Sequence, residues 1–317
     1  MGALLALVAA VFAPGTADAW GGRTHEIINR RAVDYMPEDA RAAWAPLARS
    51  LGAHASDADH RKGTVAGERP RHFIDIDVYD EHPFDDVPRS LDELIAQQGR
   101  ETVDQWGIVP WAVDECYRML VLSLQQDNWA SAGAWAADLG HYVADSHQPL
   151  HCTVNYDGQN TGNKGVHLRF EVHMMDRHFD EAAIGPIDSL PAAPGDPIPF
   201  CFDWIAEAYP ELSVILGADD QARGTDSNYG DDYYRVLWGE TEDVATRQVT
   251  RAVRDLAVLY AAAWEGAGRP AGPVDPPPFH ALDPAKLTGE EQEKGGSSRK
   301  VWIVAGAVLL GAFLLGG

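Results

Sequence analysis

Residues 140–151 read GHYVADSHQPLH, and no other stretch narrows the possible folds as much. His141 and Asp145 stand four residues apart, so on a helix both side chains leave from one face. Pro149 ends that helix and swings His151 back. A second pair, His167 and Glu171 in GVHLRFE, repeats the same spacing. One such pair arises often by chance on a solvated helix face. Two pairs and His151 within 31 residues point instead to a metal. Zinc takes imidazole and carboxylate ligands at about 2.0–2.2 Å, and catalytic sites keep a position open for water. The chain should therefore present helices whose polar faces turn inwards.

The remaining pattern agrees with helices. Thr24 can cap a helix running to about Tyr35, which Pro37 stops. Residues 39–52, 89–98, 111–127 and 129–146 carry apolar residues at near-helical spacing. A helix can resume over 166–183, and later ones are expected over 202–216 and 227–265. The polar stretches 53–71 and 153–166 read as loops. Strand-like alternation is confined to Phe73–Val78, and no internal repeat is present. The expected class is mostly α: a single compact multi-helix domain with long loops.

The two ends differ from this domain. Residues 2–13 are apolar and lead into Ala17-Asp18-Ala19, as in a secretory signal with an A-x-A cleavage site, although no Lys or Arg precedes them. Cleavage after Ala19 would make Trp20 the first residue. Residues 267–300, rich in Pro, Gly and Ser, read as a disordered tether. Residues 301–317 are uncharged and would form an apolar helix of about 26 Å, short for a bilayer core of about 30 Å. They read as an anchor or a sorting signal. The expected parts are signal 1–19, domain 20–266, tether 267–300 and tail 301–317. An exported protein follows, periplasmic, extracellular or at the cell surface, with possible membrane attachment through the tail.

Composition excludes one class. With 25 Lys and Arg against 48 Asp and Glu, the net charge is −23, so a generic basic surface for nucleic acid is ruled out. A phosphate-bearing substrate needs a local positive centre, which bound cations can supply. Cys116, Cys152 and Cys201 form no CxxC unit and allow at most one disulfide. No G-x-S-x-G elbow or P-loop offers another chemistry.

The W-G-x-x-x-H of Trp20–His25, HFIDID (72–77), HYVADSHQPLH (141–151) and GVHLRFE (165–171) occur in that order. Together they resemble the zinc-dependent family of fungal single-strand nucleases, in the superfamily shared with bacterial zinc-dependent phospholipases C. The resemblance spans about 20–180. It implies the phospholipase C/nuclease helical fold and three Zn²⁺ per chain. One site would use Asp59, His72, His141 and Asp145. A second would use His151, His167 and Glu171. The third would use His25, Asp145 as a bridge, and Trp20 through its free α-amino nitrogen and carbonyl oxygen. Asp57 rivals Asp59, whereas His147 is by resemblance not a ligand. The other histidines, 54, 60, 82, 173, 178 and 280, read as surface or supporting residues.

The same resemblance implies a phosphodiesterase that uses metal-activated water, with Asp145 bridging two metals and Asp59 orienting the water. Phe73 would stack on a base and Asp75 would read its edge. Trp20-Gly21 and HFID match the nucleases, giving single-stranded DNA or RNA, or nucleotides, as substrate. Glu171 matches the phospholipases, giving phospholipid as the alternative, whereas Arg23 stands where they carry an acidic residue. A phosphomonoesterase and a non-catalytic zinc-binding surface protein are further alternatives. No protein partner is implied.

Overall fold

Trp129–Ser146 forms a helix, here α8, and from Ala132 onwards every residue of it is buried. Its sequence explains this. Ala and Gly dominate, so neighbouring backbones can approach closely, and Trp135, Leu139 and Val143 supply the apolar area. A Cβ on Gly140 would fall 2.1 Å from Asn29 Oδ1, and one on Gly133 would fall 2.5 Å from the Phe279 ring. Glycine at these two places is what lets other segments touch α8 directly.

The computed structural model describes residues 20–282. In chain order the helices are α1 (Gly22–Ala32), α2 (Glu38–Trp44), α3 (Ala48–Ala53), α4 (Asp57–Arg61), α5 (Leu91–Gln98), α6 (Arg100–Trp106), α7 (Val109–Gln125), α8 (Trp129–Ser146), α9 (Val166–Leu168), α10 (Met175–His178), α11 (Pro197–Ala208), α12 (Leu212–Thr225) and α13 (Asp231–Gly266). Between α9 and α10 the backbone passes through a π-helical turn, Arg169–Met174. The central helix packs against α7, α1, α3 and α13. Only three residues separate α7 from α8, so the two form an antiparallel hairpin. Helix α13, of 36 residues, runs about 54 Å along the domain.

The mostly helical, single-domain reading holds, and several local expectations change. The first helix starts at Gly22 with Gly21 as its cap; Thr24 lies inside the first turn, buried. The 53–71 stretch is not all loop, because α4 forms within it. Phe73–Val78 makes no strand: Phe73 is extended, but Ile76–Val78 turns as a 3-10 helix. Ile74 N–H donates to His151 O (2.9 Å) and Asp75 N–H to Trp106 O (2.7 Å). The segment thus stitches two separate elements together instead of joining a ladder. Finally, residues 267–282 do not hang free of the domain. Trp264 Nε1–H donates to Pro270 O at 2.8 Å, and Phe279 and Leu282 are buried. A composition average hides two apolar residues that meet a preformed groove.

Residues 1–19, the tether from 283 and the tail 301–317 lie outside the described residues. Among the described residues no helix is long and apolar enough to cross a membrane. The three cysteines are buried and unpaired.

Candidate metal centre

Three groups of side chains gather around the C-terminal half of α8. Asp59, His72 and His141 form one, His25, His141 and Asp145 a second, and His151, His167 and Glu171 a third, with ligand atoms within 4.8 Å of one another in each group. All eight residues are buried.

Local structure delivers each one. His141 and Asp145 occupy adjacent turns of α8, with His141 Nε2 3.3 Å from Asp145 Oδ2. After α8, the Gln148 side chain accepts from Leu150 N–H and opens the 3-10 turn Pro149–His151. His151 then points back, its Nδ1 2.6 Å from His72 O. The glycine at 140 lets α1 close on α8, and Asn29 Nδ2–H donates to His25 O one turn away. His25 is thereby stacked on His141 at 4.0 Å, its Nε2 3.6 Å from Asp145 Oδ1. His167 and Glu171 straddle the start of the π turn, with Nε2 and Oε2 3.0 Å apart. Such turns recur at functional sites, since the extra residue re-aims a side chain.

Asp145 is the hinge of the arrangement. Its Oδ2 lies 3.1 Å from His72 Nδ1, while its Oδ1 faces His25 and, at 3.7 Å, His151. One carboxylate therefore touches all three groups.

Trp20 is fully buried, its Nε1–H donating to Ala144 O at 2.9 Å, and the next amide, Gly21 N–H, donates to Glu171 O at 3.3 Å. The backbone at residue 20 therefore lies between the ligand helices.

Buried polar groups are normally hydrogen-bonded. Here both ring nitrogens of His25, Asp59 Oδ2, Asp145 Oδ1 and Glu171 Oε1 are buried without a partner. Those orphans coincide with the ligand clusters, and their donor types are those zinc prefers. The residues fit a multinuclear metal centre.

The electrostatics agree. Burial works against charge on His141, yet Asp59 and Asp145 outweigh it and push the imidazole up to about 10. Burial and the neighbouring His141 drive His25 down to about 3. Burial would raise Asp145, but His141 and His151 hold it well below the usual carboxylate range. Carboxylates this deep stay ionised only when cations face them. Protonated histidines can supply that charge, and divalent ions supply it without the protons.

A family model described as S1/P1 Nuclease matches residues 20–194, and the eight clustered side chains and Trp20 all fall within that range. The chain belongs to the S1/P1 nuclease family. Among solved structures it resembles "Alpha Toxin from Clostridium Absonum", with a TM-score of 0.50 and 16% identity over 80% of this chain. It spans just under two thirds of that protein, 66%, and the likeness is one of fold. Among curated proteins none matches the sequence significantly.

The other predicted positions divide. Asp57 is not in the cluster; its Oδ2 pairs with His54 Nδ1 at 2.7 Å. His147 faces away, 3.0 Å from Asp255 and stacked on Trp204. Phe73 is half-buried beneath Arg69, whose guanidinium lies 5.9 Å from the ring centre. Gly107, at φ +86°, backs onto Phe73 so closely that a Cβ would fall 2.7 Å from the ring. Asp75 is buried with Oδ1 unpartnered, and burial followed by the repulsion of Asp77 pushes its carboxyl up to about 8. The sequence reading passed over Lys62, whose Nζ lies 2.5 Å from Asp59 Oδ1. The spacing of three from Asp59 was the available signal, and it needs α4 to be a helix.

Proposed function

We propose that this protein is an exported zinc-dependent phosphodiesterase that cleaves single-stranded DNA or RNA. Asp59, His72, His141 and Asp145 would hold one Zn²⁺; His151, His167 and Glu171 a second; His25, Asp145 and the terminal nitrogen and carbonyl of Trp20 a third. The observation that carries this reading is the coincidence of buried unpartnered donors with those ligand groups in a family member. Zinc bound there would lower the pKa of a coordinated water towards about 7 and offset phosphate charge.

The protein's own groups would do the rest. Asp59 has Oδ1 held by Lys62 and Oδ2 unpartnered, so Oδ2 is suited to accept a proton from an attacking water. The Lys62 ammonium adds a positive charge beside it. Asp75, kept neutral near pH 7 by burial, offers both an O–H donor and a C=O acceptor to a base edge, with the Phe73 ring alongside for stacking. The role of Trp20 requires a free amine there, so residues 1–19 must be removed. An exported protein whose intact mass included them would break that part of the reading.

Glu171 inside the second group favours one alternative, a phospholipase C acting on phospholipid head groups. The exported protein, processed to begin at Trp20 and with metals quantified, should be offered single-stranded DNA and RNA beside short-chain phosphatidylcholine, before and after chelation. Chelator-sensitive cleavage of nucleic acid is the expected result. Hydrolysis of the lipid alone would transfer the protein to the alternative.

A further inference from the structure

His72 is held from two sides. Its Nδ1 faces the metal-ligating cluster, 3.1 Å from Asp145 Oδ2 and 3.6 Å from Asp59 Oδ1. Its Nε2 faces the other way, 3.3 Å from Glu68 Oε1. The neighbouring ligands His141 and His151 lean instead on backbone carbonyls, Ala55 O at 2.8 Å and His72 O at 2.6 Å. A full negative charge backs His72, where those two have only a peptide dipole.

Glu68 is built for this position. It is 1% exposed. Arg61 approaches both of its oxygens, Nε at 3.3 Å and Nη2 at 3.4 Å, and the Tyr142 hydroxyl donates to Oε1. These partners keep the group ionised in the core. Pro70 is the second residue of the single 3-10 turn Arg69–His72, which fixes the step from Glu68 to the imidazole. The His72 approach is oblique, so Nε2 has no straight hydrogen bond yet. A metal pulling on Nδ1 would settle the ring from its other side.

We propose that Glu68 is a positioning residue for the metal centre: it accepts the Nε2–H of His72, fixes that tautomer and presents Nδ1 as the lone pair facing the metal. The proposal rests on the zinc reading above. Carboxylates behind ligating histidines orient the ring and raise its basicity, and losing one weakens metal binding by about 10–100-fold. The competing role is plain charge balance for Arg61.

The test uses the exported protein, processed to begin at Trp20, stripped with chelator and titrated with Zn²⁺ against a competing chromophoric chelator, as wild type, Glu68→Gln and Asp138→Asn. Asp138 pairs with Arg61. The expected result is one Zn²⁺ position weakened about 10–100-fold in Glu68→Gln, while Asp138→Asn melts lower and keeps its zinc affinity. In zinc-loaded wild type, ¹⁵N spectra of the imidazoles should show His72 protonated on Nε2 and bare on Nδ1. That measurement decides the matter if Glu68→Gln does not fold. Wild-type zinc affinity in a folded Glu68→Gln, or His72 protonated on Nδ1, overturns the proposal alone. A wild type that takes up no zinc overturns the metal reading and this proposal with it.

Discussion

Two buried polar clusters sit on adjoining sides of α8 and meet at His72. One is the histidine and carboxylate group around His141 and Asp145. The other joins Arg61, Asp138, Glu68, Tyr142, Arg71 and Glu115. Both draw an i, i+4 pair from the same helix, His141 with Asp145 and Asp138 with Tyr142. Their hydrogen-bond accounts differ. Every member of the second cluster finds partners within it, such as Arg71 Nε–H donating to Tyr142 Oη at 3.1 Å. In the first, several deeply buried atoms have none. A satisfied network is complete as folded, whereas an unsatisfied one is a site awaiting something.

This contrast can be broken by experiment. Asp145→Asn should have the largest effect, since that carboxylate touches all three ligand groups. Activity on the true substrate should fall on the order of 10³-fold, and elemental analysis should find fewer bound Zn²⁺. Unchanged metal content would remove Asp145 from the centre. Chelation should come next. Zinc at 1,000 times its Kd stabilises a folded protein by about 4 kcal/mol per site, so chelator should lower Tm well beyond any change in its absence from the medium. Equal melting with and without chelator would mean the orphaned atoms bind no metal.

Asp138→Asn probes the other cluster. It breaks a buried pair from one side and should cost about 3 kcal/mol while leaving zinc content as it was. A loss of zinc with no loss of stability would reverse the roles assigned to the two clusters. The smallest effect belongs to Asp75, which lies in neither. Its folded pKa, about 8, lies above its unfolded value of 3.8. The folded form therefore holds a proton that the unfolded chain has lost, and stability declines as pH rises from about 4 to about 8. Asp75→Asn should be stabilising at pH 8.5 and neutral near pH 4. A gain of equal size at both values would show that the carboxyl is not held neutral.

The same contrast explains what could be read in advance. His141 with Asp145, and His167 with Glu171, are local pairs, and helical spacing alone exposes them. The mostly α class followed from the same periodicity. Glu68 and Arg61 gave no such sign, because the Arg61 partner Asp138 is 77 residues away. Helix α4 has five residues, too few to show a period, so the element carrying Asp59, with Lys62 at its C-terminal cap, read as loop. The family resemblance placed Asp59 above Asp57, and the cluster contains Asp59. Phe279 was hidden for a different cause: its groove is made by the absence of a side chain at Gly133.

Helix α8 is a ruler whose marks cannot be respaced. Asp138, His141, Tyr142 and Asp145 are fixed to one another by 1.5 Å of rise per residue, and their turns are locked by the packing on every side. A cation of different radius cannot be accommodated by stretching that spacing. Accommodation would have to come from the ligands other segments lend, His25 on α1, Asp59 on the short α4 and His72 on its single turn before α8, and His151, His167 and Glu171 after it. Were zinc bound there, discrimination between it and its neighbours in the periodic table would lie with those segments and not with the central helix.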